Sequence, residues 1–96
     1  VVVVLKNRFI MGLITDGDLR REIKLKDISK NENLLNFITN NPLVVGENMP
    51  AQKALAIMNE KQITSLLIVA DKDLKKSNKT LKGIIHIHQL LQSGIK

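Results

Sequence analysis

Apolar residues along this 96-residue chain gather in short runs and one helical stripe, separated by polar turns. Residues 1–5, Val-Val-Val-Val-Leu, are a β-branched block of the kind that forms a buried strand. Lys6, Asn7 and Arg8 make a short polar turn, and residues 9–15 form a second apolar run, so the pair predicts a β-hairpin. Residues 18–23 predict a helix and residues 24–32 a polar connector. Leu34, Leu35, Phe37 and Ile38 suggest a short helix over 33–38. Asn40-Asn41-Pro42 ends it, because the residue before a proline avoids helical backbone.

The second half is patterned more strongly. Residues 43–45 predict a short strand, and Gly46-Glu47-Asn48 turns the chain. Asn48 is a suitable helix cap, and Pro50 suits a first helical turn, where no backbone donor is needed. Ala51, Ala54, Leu55 and Met58 follow the i, i+3, i+4, i+7 rule and give the helix one apolar face. Ile63 begins a buried stretch, and residues 66–70 are a strong strand. Residues 71–82 form a long, lysine-rich surface loop, 83–87 a partner strand and 89–93 a last helix. Gly94 is its natural stop.

One frame occurs twice. Gly12-Leu-Ile-Thr-Asp-Gly-Asp-Leu19 returns as Gly83-Ile-Ile-His-Ile-His-Gln-Leu90, 71 positions later. A repeat of that period is a duplicated supersecondary unit, not low complexity. The second half reads β-α-β-β-α and the first half only β-β-α. The repeat therefore predicts a further strand and helix of about 30 residues ahead of residue 1, with the first copy truncated at its N-terminus. The copies divide the chain into residues 1–32, a partial first repeat with its connector, and 33–96, a second repeat.

Length allows one domain or two small subdomains sharing a core. No apolar run approaches the ~20 residues of a membrane-spanning helix. Without cysteine, disulfides and cysteine–zinc sites are excluded. The net charge of +6 raises nucleic acid as a partner. Against it, the lysines are dispersed around the polar connector and the 71–82 loop, and two phenylalanines make no stacking platform.

The repeated frame carries the candidate chemistry. Thr15 stands at a strand end and Asp18 in the first turn of the following helix, which brings a hydroxyl and a carboxylate together. A carboxylate accepts both protons of a ribose-like diol in charge-assisted hydrogen bonds. Asp16 and Asp18 repel phosphate unless a cation offsets them, and Arg20 or Arg21 is the nearest one. The same Thr-x-x-Asp spacing is also that of a capping box, which satisfies helix-end amides with no ligand at all. In the second copy His86 takes the place of Thr15 and Gln89 that of Asp18, so the charged acceptor is lost. His86 and His88 are two apart and share a face if both lie on a strand, which raises a metal site, but no acidic or further histidine partner accompanies them. No Gly-x-Ser-x-Gly, P-loop or other catalytic spacing is present.

The repeated β-α-β-β-α pattern with Gly-apolar-apolar-Thr-x-x-Asp at its last strand–helix junction resembles the CBS domain. The resemblance implies an α/β fold, a tandem CBS (Bateman) module. Ile14-Thr-Asp-Gly-Asp-Leu-Arg-Arg21, Phe37-Ile-Thr-Asn-Asn-Pro42 and Ser93-Gly94-Ile95 further resemble the C-terminal region of bacterial arabinose-5-phosphate isomerases. That family interconverts ribulose 5-phosphate and arabinose 5-phosphate for synthesis of the lipopolysaccharide sugar Kdo, with catalysis in an N-terminal SIS domain. The resemblance implies a non-catalytic regulatory fragment without cofactor or metal. It implies a bound nucleotide or nucleotide-sugar, CMP-Kdo or an adenine nucleotide, and as partners the parent SIS domain and a second CBS pair in a homodimer. Nucleic acid and membrane are not expected partners, and the location expected is cytoplasmic. The ligand residues it implies are Thr15, Asp18, Arg20, Val45, Thr64, Ser65 and His86, with Val44 and Ile63 beside them in the second pocket. Two other readings stay open: a dimerisation element without ligand, and a CBS pair of a different host enzyme.

Overall fold

The computed structural model describes residues 1–15, 17, 20, 38–40 and 42–94. The chain forms two compact units, Val1–Pro42 and Leu43–Lys96, each with its own three-stranded sheet. This division falls ten residues beyond the boundary suggested by the repeat, because a short strand at residues 39–40 joins the first sheet.

In the first unit, β1 (Val2–Lys6) and β2 (Phe9–Ile14) pair antiparallel across Asn7 and Arg8. Both turn residues have positive φ, 53° and 72°. That is the sense of turn whose twist matches the flanking strands, and asparagine tolerates it more readily than arginine does. The register slips between Val4 and Leu5, where Met11 is the extra residue of a β-bulge. β3 (Thr39–Asn40) adds antiparallel to β2, with Gly12 opposite Asn40. A side chain at Gly12 would collide with the Thr39 carbonyl and approach Ile38 to 2.7 Å, so only glycine lets the strands meet there.

Two expectations change in this unit. Residues 1–5 do not form a buried strand, since Val2 is 52% and Leu5 50% exposed. β1 is an edge of the sheet among the described residues, and a β-branched run looks alike at an edge and at a centre. The strand at residues 39–40 was not expected, being only two residues long and set just before a proline. In the helix predicted over 18–23, Arg20 is helical, as is Gly17 just before it, and both are exposed. Asp18, the connector over 24–32 and residues 33–37 of the next predicted helix lie outside the described residues.

In the second unit, β4 (Val44–Gly46) runs parallel to β5 (Ser65–Val69), and β6 (Gly83–His86) runs antiparallel to β5 on its other side. The parallel pair needs a crossover, which α1 (Ala51–Lys61) supplies. Val45 and Leu66 on one sheet face pack with Ala54, Leu55 and Met58 of α1 and with Leu90 of α2 (Ile87–Gln92). Met58 and Leu66 are wholly buried, each side chain contributing about 1.5–3 kcal/mol of transfer free energy. The apolar stripe read from the sequence is thus the core face of α1.

Its start differs from expectation. Pro50 is the cap residue itself, not the first helical residue, and no side chain caps the helix. Asn48 does not cap it either, because its amide donates to Asp71 Oδ2 at 2.6 Å. The helix closes through Gln62 in left-handed backbone, φ 57°, and Ile63 N–H donates to the Met58 carbonyl at 3.0 Å. The 71–82 segment is less of a free loop than its composition suggests. It begins with a 3-10 turn (Asp71–Asp73), and Lys76 pairs with Asp73 at 3.0 Å. Lys82 pairs with Glu47 at 2.9 Å, which raises the Lys82 ammonium above its ordinary value. Gly94 follows α2 with φ 85°, the left-handed stop that the sequence predicts.

Candidate functional site

The strongest convergence of sequence-predicted residues lies where β6 passes into α2. Across the β5–β6 ladder Ser65 stands opposite His86, and the Thr64 carbonyl accepts the Ile87 N–H at 2.8 Å. Thr64, Ser65 and His86 therefore sit together at one end of the sheet. Thr64 is exposed, while Ser65 and His86 are half-buried. Strand alternation puts Ser65, Leu67, Ile84 and His86 on the face opposite the α1 core.

Val45 is not on that face. It is buried in the helix-covered core beside Leu66, and it is Val44, opposite Leu67, that shares the side of Ser65 and His86. The two valines are adjacent in sequence and chemically identical, so only the register separates them. Ile63 is half-buried against the core cluster.

The local hydrogen bonds show how His86 is held. Its ring Nδ1 accepts the His88 N–H at 3.3 Å, and its own N–H donates to Gln89 Oε1 at 2.9 Å. Together these make a reciprocal cap at the start of α2. Accepting at Nδ1 places the ring hydrogen on Nε2, which leaves one donor edge for an incoming acceptor. The His86 and His88 rings stack with centroids 4.8 Å apart. They adjoin although His88 belongs to α2 and not to a strand, because the helix begins at Ile87. Among the described residues no three histidine or acidic side chains gather in a metal-binding group.

In the first unit, Thr15 follows directly on β2 and is half-buried, in the place that corresponds to His86 in the repeat. Arg20 is exposed on helical backbone five residues later. Asp18 lies outside the described residues, so its hydroxyl–carboxylate pairing with Thr15 remains a sequence expectation. No helix among the described residues is long and apolar enough to cross a membrane.

Comparison with known proteins bears on the family and the fold. Among curated sequences, the chain is 39% identical over 94 residues to an uncharacterized protein of Rickettsia prowazekii. It is 36% identical over 86 residues to arabinose 5-phosphate isomerase KdsD of Yersinia pestis, covering 90% of this chain. The chain spans about a quarter of the length of these relatives, 25% and 24%. Among solved structures, a CBS-domain containing protein of Agrobacterium tumefaciens aligns over 98% of this chain and 71% of its own, with a TM-score of 0.81 at 20% identity. CBSX2 in complex with AMP aligns over 95% of this chain and 66% of its own, at TM-score 0.70 and 20% identity. A CBS domain pair in complex with 5′-methylthioadenosine and S-adenosyl-L-methionine aligns over 97% and 68%, at TM-score 0.77 and 15% identity. At such identities the structures speak for the fold. The CBS domain family model itself matches residues 33–95, about two-thirds of the chain, and the chain belongs to the CBS domain family.

Proposed function

We propose that this chain is the ligand-sensing regulatory module of an arabinose-5-phosphate isomerase and carries no catalysis itself. The observation that carries the reading is the similarity to KdsD isomerases along nearly all of the chain, 90% of it in the Yersinia pestis protein. In this reading residues 1–32 are a partial first CBS repeat with its connector and residues 33–96 the second repeat. The ligand is a nucleotide or nucleotide-sugar, CMP-Kdo or an adenine nucleotide, and the CBS structures bound to AMP and to S-adenosyl-L-methionine support that class.

Thr64, Ser65 and His86 contact it in the second repeat, with Val44 as their apolar neighbour. Thr15, Asp18 and Arg20 serve the first repeat, Asp18 accepting the ribose diol and Arg20 offsetting the acidic pair beside a phosphate. Binding regulates a SIS-type catalytic domain in the parent protein, and CBS pairs of two subunits associate. The effect on that domain requires the ligand to favour one arrangement of the module over another, since equal affinity for both shifts nothing.

A second reading, a dimerisation element without ligand, is favoured by one observation. The side chains of His86 and Gln89 are both engaged in capping α2. Calorimetry with CMP-Kdo, CMP, AMP and ATP separates the two. Saturable heat with at least one of them, weakened by Asp18→Ala, is expected. Absence of heat with all four removes the sensing role and leaves the structural one.

A further inference from the structure

The two β-hairpins of this chain share a register but not a turn. Val2↔Ile14, Val3↔Leu13 and Val4↔Gly12 in the first unit match Leu66↔Ile85, Leu67↔Ile84 and Ile68↔Gly83 in the second. The first hairpin closes through Asn7 and Arg8 alone, whereas residues 70–82 stand between β5 and β6. Hairpin loops of about two to five residues are the common case, so strand pairing does not require the longer connection. Nor is that connection slack. Asp73 N–H donates to the Ala70 carbonyl at 2.9 Å, Lys76 N–H to the Asp73 carbonyl at 3.1 Å and Lys82 N–H to the Ile68 carbonyl at 2.8 Å. Lys79 Nζ donates to the Lys76 carbonyl at 2.5 Å. Long loops held on a rigid scaffold are where binding residues concentrate.

The charges of this segment are sorted. Residues 71–82 carry five lysines, and the carboxylates beside them are already engaged. Asp73 is 8% exposed and pairs with Lys76, Glu47 pairs with Lys82, and Asp71 accepts from the Asn48 amide. Lys72 and Lys75 are exposed and have no hydrogen bond or ion pair among the described residues. Leu74 stands between them in sequence, 40% exposed. We infer that Lys72, Leu74 and Lys75 form a docking surface for an acidic polypeptide segment with an apolar side chain among its carboxylates. The segment's own ion pairs already join lysines to single carboxylates, which is the chemistry such a partner offers. Leu74 supplies one apolar contact, too little to enter a bilayer. No aromatic side chain in residues 71–82 can stack on a nucleic-acid base. The surface lies at the opposite end of the β5–β6 ladder from Ser65 and His86, so the inference does not rest on the nucleotide reading.

The test titrates the full 96-residue chain with an acetylated and amidated peptide, Glu-Glu-Leu-Glu-Glu, at low salt, and follows backbone amide shifts. Saturable shifts over residues 72–75 that recede as salt is raised are expected, since the charges are exposed and screened. Lys72→Glu with Lys75→Glu should weaken binding by roughly tenfold. Lys53→Glu with Lys61→Glu, the same change of charge at exposed positions of α1, should leave it nearly unchanged. Leu74→Ser should remove the preference for this peptide over Glu-Glu-Gly-Glu-Glu. All these positions are exposed, so the variants are at low risk of unfolding the chain. Absence of saturable shifts over residues 72–75 overturns the inference. So does equal weakening by the α1 pair, which would read net charge alone. Tighter binding of oligothymidylate or of phosphatidylserine vesicles at the same residues also overturns it and assigns the lysines to phosphate.

Discussion

The hairpins β1–β2 and β5–β6 are one structural unit placed in two environments. Pairing register is the same over three successive pairs in both, with strand alternation and a glycine in the second strand of each pair, Gly12 in β2 and Gly83 in β6. Burial is not the same: Leu66 is sealed while Val2 faces solvent. Even the two glycines differ in their reason. Gly12 makes room for β3, whereas a side chain at Gly83 would meet nothing nearer than Ile68 Cδ1 at 4.0 Å. Register is thus written into the strand pair itself, but the stability it yields depends on the elements laid against it.

Core truncation is the largest lever on this comparison. Leu66→Ala should cost about 2–5 kcal/mol, the range for a buried leucine left with a cavity. Val2→Ala at the matching position should cost about 0.5 kcal/mol or less, as for an exposed site. Urea denaturation of both variants checks the pair, and similar losses would show that the two faces are equally covered. The glycines come next. Gly12→Ala should destabilise by about 1–3 kcal/mol through collision with the Thr39 backbone, while Gly83→Ala should stay within about 0.5 kcal/mol.

A smaller effect tests the strand–helix junction. Gln89→Ala removes the acceptor of the His86 N–H and should lower stability by about 0.5–2 kcal/mol. The smallest is electrostatic. Glu47 holds the Lys82 ammonium above its ordinary 10.5, first by hydrogen bond and then by charge, with Asp73 adding to it. The stabilisation is full below 10.5, the unfolded value, and is lost as pH rises through the higher folded value. The pair is exposed, so salt screens it and the contribution is slight. Following the Lys82 side chain by NMR in Glu47→Gln should show its titration falling back toward 10.5.

Much of this architecture is legible in the residues. The i, i+3, i+4, i+7 stripe places α1, the repeated glycine frame gives both hairpins, and Gly94 marks the last helix end. What escapes the sequence has physical reasons. The exposure of β1 depends on what lies beside it, which a run of valines does not record. The end of α1 uses Gln62 in left-handed backbone, where composition would lead one to expect glycine. Asn48 has the chemistry of a cap but spends it on Asp71, a partner 23 residues away. At the candidate site, Thr64, Ser65 and His86 converge through strand pairing that the repeat foreshadows. The choice between Val44 and Val45 needs the pleat itself, since one residue of register exchanges their faces.

The sensing role is tested most directly by following backbone amide shifts of the 96-residue chain during titration with CMP-Kdo and with AMP. The account predicts saturable shifts at Thr15, Thr64, Ser65 and His86 with at least one ligand, while the lysines of residues 72–79 stay in place. Shifts confined to that lysine segment, or none at any ligand concentration, would contradict it.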